Sequence, residues 1–358
     1  MAGVTSRLAD SAYLRACRGE PGDRVPVWFQ RQAGRSLPEY RAIRGPGSIL
    51  DAIAQPDRST EITLQPVRRY GVDAAILYSD IVVPVHAIGF GVDIKPGVGP
   101  VVVDPFRSAS DLDRLRPLEP DTDTPYVLET VRQVVAELGD VPLIGFAGAP
   151  FTVASYLIEG GPSKNYTVTK AMMRTDPGLF GQLLDRLADM AIASVRSQVE
   201  AGASALQLFD SWAGSLHADD YRRFVQPHTR KVFDAVADLG VPRAHFGVTT
   251  GELLGVIAET GPEVIGVDWR VPIDEARRRI PRPVALQGNL DPAICFAPIP
   301  AVETEVRSIL ERNAGHPGFV FNLGHGVLPE TDPDVLARVV EIVHAEGRAD
   351  AAVASPDA

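Results

Sequence analysis

VPVWFQRQAGRSLPEYR, residues Val25–Arg41, begins as an apolar run and changes character within five residues. Val25–Phe29 reads as a strand. The Gly/Arg segment after it, with Arg31, Arg35 and Arg41 around Gly34 and Pro38, reads as a loop leaving the strand's C-terminal end. Arginine grips carboxylate or phosphate with a planar, two-pronged donor set and stays charged at any working pH. The loop is therefore either an anion clamp or a solvated basic turn.

The same unit recurs along the chain. Apolar runs at Ala74–Tyr78, Pro142–Phe146, Ala205–Phe209, Arg243–Val248, Val264–Trp269, Val284–Gln287 and Gly318–Leu323 bring the predicted strands to eight. Helical patterns lie between them. The clearest is Asp176–Ala201, opened by Asp176-Pro177 and striped by Leu179, Leu183, Leu187, Met190 and Val195. Asp219–Leu239, Gly251–Thr260, Ile273–Ile280, Ala301–Asn313 and Asp334–Glu346 also read as helices. Apolar strands alternating with helices predict a parallel sheet covered on both faces. Eight units predict an α/β fold closed as a single (β/α)8 TIM barrel. No Gly-x-Gly-x-x-Gly turn follows an early strand, which disfavours a doubly wound sheet. The Gly-, Pro- and Asp-rich segment Ile88–Pro125 reads as a small insertion between the second and third units. The predicted organisation is a lead-in over residues 1–24, the barrel over 25–346 and a disordered Ala/Asp-rich tail over 347–358.

Composition narrows the function. Of 358 residues, 45% are hydrophobic and 23% charged, and the formal net charge is -11. Such a charge argues against nucleic acid or an anionic membrane as partner. Cys17 and Cys295 are far apart and in no metal spacing. No apolar run suggests a signal peptide or a membrane span, so a cytoplasmic protein is expected. None of Lys95, Lys164, Lys170 and Lys231 lies in a predicted strand, which disfavours Schiff-base chemistry.

Reactive groups of such barrels come from loops at the C-terminal ends of the strands. That rule selects Arg31 and Arg35, then Ser79-Asp80, Ala147–Tyr156, Asp210-Ser211-Trp212, Asn289 and Asp291, and His325 within Gly324-His325-Gly326. Each has a structural reading beside the functional one. Asp80 either caps the next helix or stabilises a developing cation. Tyr156 is a packed aromatic or a ligand. Ser211 is a turn residue or a binding group, but it lacks the Gly-x-Ser-x-Gly elbow of a nucleophile. Gly-His-Gly is a functional histidine or a phosphate cradle.

Taken together, these segments resemble one family, uroporphyrinogen decarboxylase. PVWFQRQAGRSLPEYR and GFAGAPFTVASYLIEGG resemble its two signatures, and ILYSDIVVP, LQLFDSWAG, QGNLDP and FNLGHGVLP match further blocks in order, from about Val25 to Glu346. The resemblance implies a homodimeric barrel that uses no metal or organic cofactor. Its substrate would be uroporphyrinogen III, decarboxylated at four acetate side chains to coproporphyrinogen III. It also implies substrate-binding roles for Arg31, Gln32, Ala33, Gly34, Arg35, Asp80, Tyr156, Ser211 and His325, with Asp80 and Arg31 in the chemistry. Gln30, Ser36 and Asp210 stand where methionine, tyrosine and glutamate are common, which bears on the pocket lining. The alternative, a corrinoid-linked methyltransferase on a related barrel, predicts zinc ligands. His245 is followed by Phe246 and Gly247 rather than cysteine, so a thiolate zinc site is excluded by inventory.

Overall fold

The computed structural model describes residues 7–95 and 97–349. Its centre is a seven-stranded parallel sheet. The strands are β1 (Ala75–Ile76), β4 (Leu143–Gly148), β5 (Ala205–Phe209), β6 (Arg243–Phe246), β7 (Val264–Gly266), β8 (Ala285–Leu290) and β9 (Phe319–Leu323), neighbouring in that order. Between β1 and β4, β2 (Val92–Lys95) and β3 (Gly99–Val102) form an antiparallel hairpin. A 3-10 turn at Ala109–Arg114 and a short helix at Pro120–Asp123 follow it.

Val25–Phe29 differs from its prediction. It makes one isolated parallel bridge, Val27 to Phe321, rather than a strand. The reason is local. On one side Phe321 N–H donates to Pro26 O at 2.8 Å, and Trp28 N–H to Phe321 O at 3.3 Å. On the other side Asp73 N–H donates to Val27 O at 2.8 Å, and Val27 N–H donates to the Asp73 carboxylate at 2.8 Å. A side chain thus takes a donor that a ladder would use, and Pro26 has none to give. The segment still joins the β9 edge to the residues just before β1.

Trp28 Nε1–H donates to Gln287 Oε1 at 3.0 Å, and Gln287 Nε2–H to Gln207 Oε1 at 2.9 Å. These residues lie on non-adjacent segments, so the chain of amides crosses the concave interior of a curled sheet. Helices cover the outside. Pro177–Glu200 is capped by the Asp176 side chain, which accepts from Leu179 N–H at 3.0 Å, and it buries Leu179, Leu183, Leu187, Met190 and Val195. The expected helix Asp219–Leu239 is interrupted by a π turn at Tyr221–Val225. Pro227 cannot donate to a carbonyl one turn back, and the backbone rewinds ahead of it. No described helix is long and apolar enough to cross a membrane. Of the expected tail, Gly347 and Ala349 bond to Val25 and Gly22, and residues 350–358 lie outside the described residues.

Asp73 fastens this seam. Its side chain is 6% exposed and also meets Arg24 at 2.6 Å and His344 Nε2 at 2.7 Å. Burial alone would raise its pKa, but the bonds from His344, Arg24 and Val27 hold it below the usual carboxylate value. The sign follows from that depression: the stabilisation is complete above the unfolded-state value near about 4 and disappears as pH falls through the folded value. Asp73→Ala should lower unfolding free energy at pH 7 by about 3 kcal/mol. In denaturant melts at pH 7 and pH 3, the gap between variant and wild type should narrow in acid; an unchanged gap would contradict the pairing.

Candidate active site

Two local events aim the loops. After Leu77, Tyr78 N–H turns from the sheet to Thr63 Oγ1 at 3.0 Å. The facing groups of Phe146 are taken by the Gln198 side chain, at 2.8 and 3.0 Å. β1 and β4 therefore part just before Ser79-Asp80, and the chain is free to turn. In the first loop, Arg31 and Arg35 both adopt positive φ, 59° and 32°, around Gly34 at 113°. Left-handed backbone costs a non-glycine residue about 1–2 kcal/mol and persists only where its surroundings enforce it.

Those surroundings are visible. Gln32 is buried, accepting from Phe29 N–H at 2.9 Å and donating to Ala74 O at 2.9 Å. Its side chain ties the loop to the residue just before β1. Ala33 is half-buried, and Gly34 lies against the Tyr40 and Tyr78 rings. Arg41 reaches Pro329 O at 2.8 Å, and Val327 N–H donates to Gln30 O at 2.8 Å, so the first and last loops are laced together. Gly326 sits directly under Arg31: a Cβ there would lie 2.8 Å from Arg31 Cγ. The second glycine of Gly-His-Gly thus makes room for a side chain of the same site.

Among the described residues, the Arg31 and Arg35 guanidinium groups make no hydrogen bond and have no carboxylate oxygen within 4.0 Å. Both bear electrostatically on Asp80 and on His325. Asp80 is half-buried, and its Oδ1 accepts from Val82 N–H at 3.1 Å, so it does cap the turn it opens. Burial pushes its carboxyl above the usual value, against the pull of Val82 N–H, Arg31 and Arg35. Burial and Arg31 lower Arg35. Burial also lowers the His325 imidazole, to about 4, helped by Arg31 and Arg35 and resisted by Asp268. Its Nδ1 accepts from Gly326 N–H at 2.5 Å, which fits the neutral ring. Burial and the Asp80 charge raise the Tyr156 phenol.

Arg31, Arg35, Asp80, Tyr156 and His325 thus share one electrostatic neighbourhood. Ser211 joins it through its neighbour, since Trp212 stacks on Tyr156 with centroids 3.8 Å apart. Thr152 Oγ1 donates to Asp210 Oδ1 at 2.7 Å and accepts from Trp212 N–H at 3.2 Å. Asp210 is fully buried, 3.5 Å from His245 Nε2, and holds the loop from behind. Gln30 and Ser36 are also buried, so the three departures lie in the walls.

Sequence reasoning missed the aromatic floor. Phe146 and Phe209 have ring centroids 5.3 Å apart, Phe209 and Phe246 6.0 Å, and Phe246 and His325 6.5 Å. The signal is a phenylalanine near the end of three successive predicted strands. Such a floor suits flat apolar rings, and the charges above it suit their acidic substituents.

The family model for uroporphyrinogen decarboxylase (URO-D) matches residues 8–346. A uroporphyrinogen decarboxylase of Salinispora tropica is 61% identical over 336 residues, covering 94% of this chain and 90% of that one. One from Streptomyces griseus subsp. griseus is 62% identical over 335 residues, covering 94% and 92%. Among solved structures, a methyltransferase from Methanosarcina mazei superposes with a TM-score of 0.75 over 93% of this chain and 97% of that one. At 22% identity that likeness concerns the fold alone. The matched length and the identity to these relatives leave one conclusion: the chain belongs to the uroporphyrinogen decarboxylase family.

Proposed function

We propose that the protein removes carbon dioxide from the four acetate side chains of uroporphyrinogen III, giving coproporphyrinogen III, without metal or organic cofactor. The observation that carries this reading is the pairing of two uncommitted guanidinium groups with one carboxylate whose pKa burial has raised, over an aromatic floor. Supporting the family's barrel as the frame, Val25–Phe29 bonds to β9 on one side and to Asp73, just before β1, on the other, where an eighth stave would stand. The same reading takes the protein as a cytoplasmic homodimer.

Each cycle replaces a carboxylate by a proton. Protonating the pyrrole at a ring carbon makes an iminium-like cation. The C–C bond then breaks, carbon dioxide leaves, and its electron pair flows into the ring. A second proton converts the exocyclic methylene to methyl, and loss of the ring proton restores the pyrrole. Asp80 accepts hydrogen bonds from pyrrole N–H groups and stabilises the cation. At about 4 Å and an effective dielectric of about 20, that pair is worth about 4 kcal/mol before desolvation. This corresponds to up to about a thousandfold in rate.

Arg31 and Arg35 hold carboxylates. A firm grip on the departing acetate would stabilise the ground state and oppose the chemistry, because carbon dioxide is neutral. Any contact to that group therefore loosens as the bond breaks. Arginine is a poor general acid at its usual pKa. Gln32 acts by fixing the loop, and Tyr156, Ser211 and neutral His325 position the substrate. A corrinoid methyltransferase would need a thiolate zinc site that Cys17 and Cys295, both buried, do not supply.

Anaerobic incubation of the metal-free protein with uroporphyrinogen III should release carbon dioxide stepwise. Asp80→Asn should cut kcat by about a hundredfold or more while changing KM little. Intact substrate with wild type, or near-full turnover by Asp80→Asn, would overturn the reading. Asp80 must be ionised, so kcat should fall in acid through a pKa above the usual aspartate value. His325→Gln should leave that acid limb in place, since His325 is neutral above about pH 5. A limb that shifts with this substitution would assign it to the imidazole instead.

A further inference from the structure

Beyond β7 the chain runs Val267-Asp268-Trp269-Arg270, and the site described so far assigns no role to these residues. The Asp268 side chain is 1% exposed. Its carboxylate accepts from Thr249 N–H, from Arg270 N–H at 3.0 Å and from Arg270 Nη1–H at 2.8 Å. The Arg270 guanidinium also lies over the Trp269 ring, 3.9 Å from its centroid. Two restraints therefore fix it, yet its side chain remains 45% exposed. Its Nε and Nη2 make no hydrogen bond among the described residues.

The direction of this group matters. Trp269 and His325 have ring centroids 6.5 Å apart, and a Cβ on Gly324 would lie 3.0 Å from Trp269 Cβ. The Arg270 strand end is thus packed against the His325 loop, separated from the Arg31 segment by β8 and β9. The Arg270 charge helps lower His325. Asp268 already has two backbone donors, and an exposed ion pair alone would contribute little. A pre-set guanidinium with open donors is instead a rigid receptor for a planar acid.

We infer that Arg270 is a further carboxylate-holding residue of the site shared by Arg31, Asp80 and His325, and that it takes a carboxylate that stays on the ring throughout the reaction. The inference rests on that site being the substrate seat. Arg270 follows β7, four places along the sheet from the β1 end that carries Asp80, which argues against the departing acetate, and holding a retained group binds substrate and product alike.

The test compares KM for uroporphyrinogen III with the inhibition constant of coproporphyrinogen III, measured anaerobically. Arg270→Gln should raise both by about tenfold and leave kcat within about twofold. Arg270→Lys keeps the charge but loses the fork and should raise both by less. Wild-type values for both constants would overturn the inference, as would a rise confined to the substrate. Asp268 keeps its two backbone donors, so both variants should melt like wild type; if Arg270→Gln does not fold, Arg270→Lys decides by the same two constants. Asp80→Asn is run beside them. Lost turnover there with normal binding by the Arg270 variants sinks only this inference; normal turnover there sinks the site itself.

Discussion

Two guanidinium groups and one carboxylate stand within one another's fields without closing into ion pairs. A few local features keep them apart. Left free, Arg31 or Arg35 would fold onto Asp80 and the site would neutralise itself. Instead Asp80 is partly satisfied by the turn that it caps, and the arginines sit on backbone held in the left-handed region. The cost of that separation is visible in the carboxyl, which burial drives upward despite two nearby positive charges. Donors and charges fixed before substrate arrives need no reorganisation when charge develops, which is the usual source of electrostatic catalysis.

The scaffold achieves the separation with side chains standing in for backbone. Asp73 replaces a ladder partner along the Val25–Phe29 seam, Gln198 caps the face that β1 deserts on β4, and Gln32 anchors the arginine loop. Each substitution ends a strand early or bends it, and each lies next to a segment that carries a charge of the site. The net charge of -11 makes the local arrangement more telling. A polyacidic substrate approaches a negative protein only if the receiving groups are concentrated and unpaired.

Much of this was legible beforehand. The strand-end rule selected Arg31, Arg35, Asp80, Tyr156, Ser211 and His325 as candidates because parallel strands present their C-terminal loops at one end, whatever the chemistry. The helix Pro177–Glu200 was legible because capping, stripe and stop all agreed. The backbone contacts of Gln32 were not, since a glutamine in a motif reads the same whatever it bonds to. Val25–Phe29 looked like a strand because hydrophobicity records burial, while the hydrogen bonds depend on Asp73, far away in sequence. The phenylalanine floor was hidden for a similar reason: only register places Phe209 opposite Phe246.

The most direct measurement is a structure of the protein with coproporphyrinogen bound, obtained without oxygen. The pyrrole N–H groups should point at the Asp80 carboxylate within hydrogen-bond distance, with ring carboxylates on Arg31 and Arg35. A ring bound elsewhere, or one whose N–H groups face away from Asp80, would contradict the idea that this carboxylate steadies the cation.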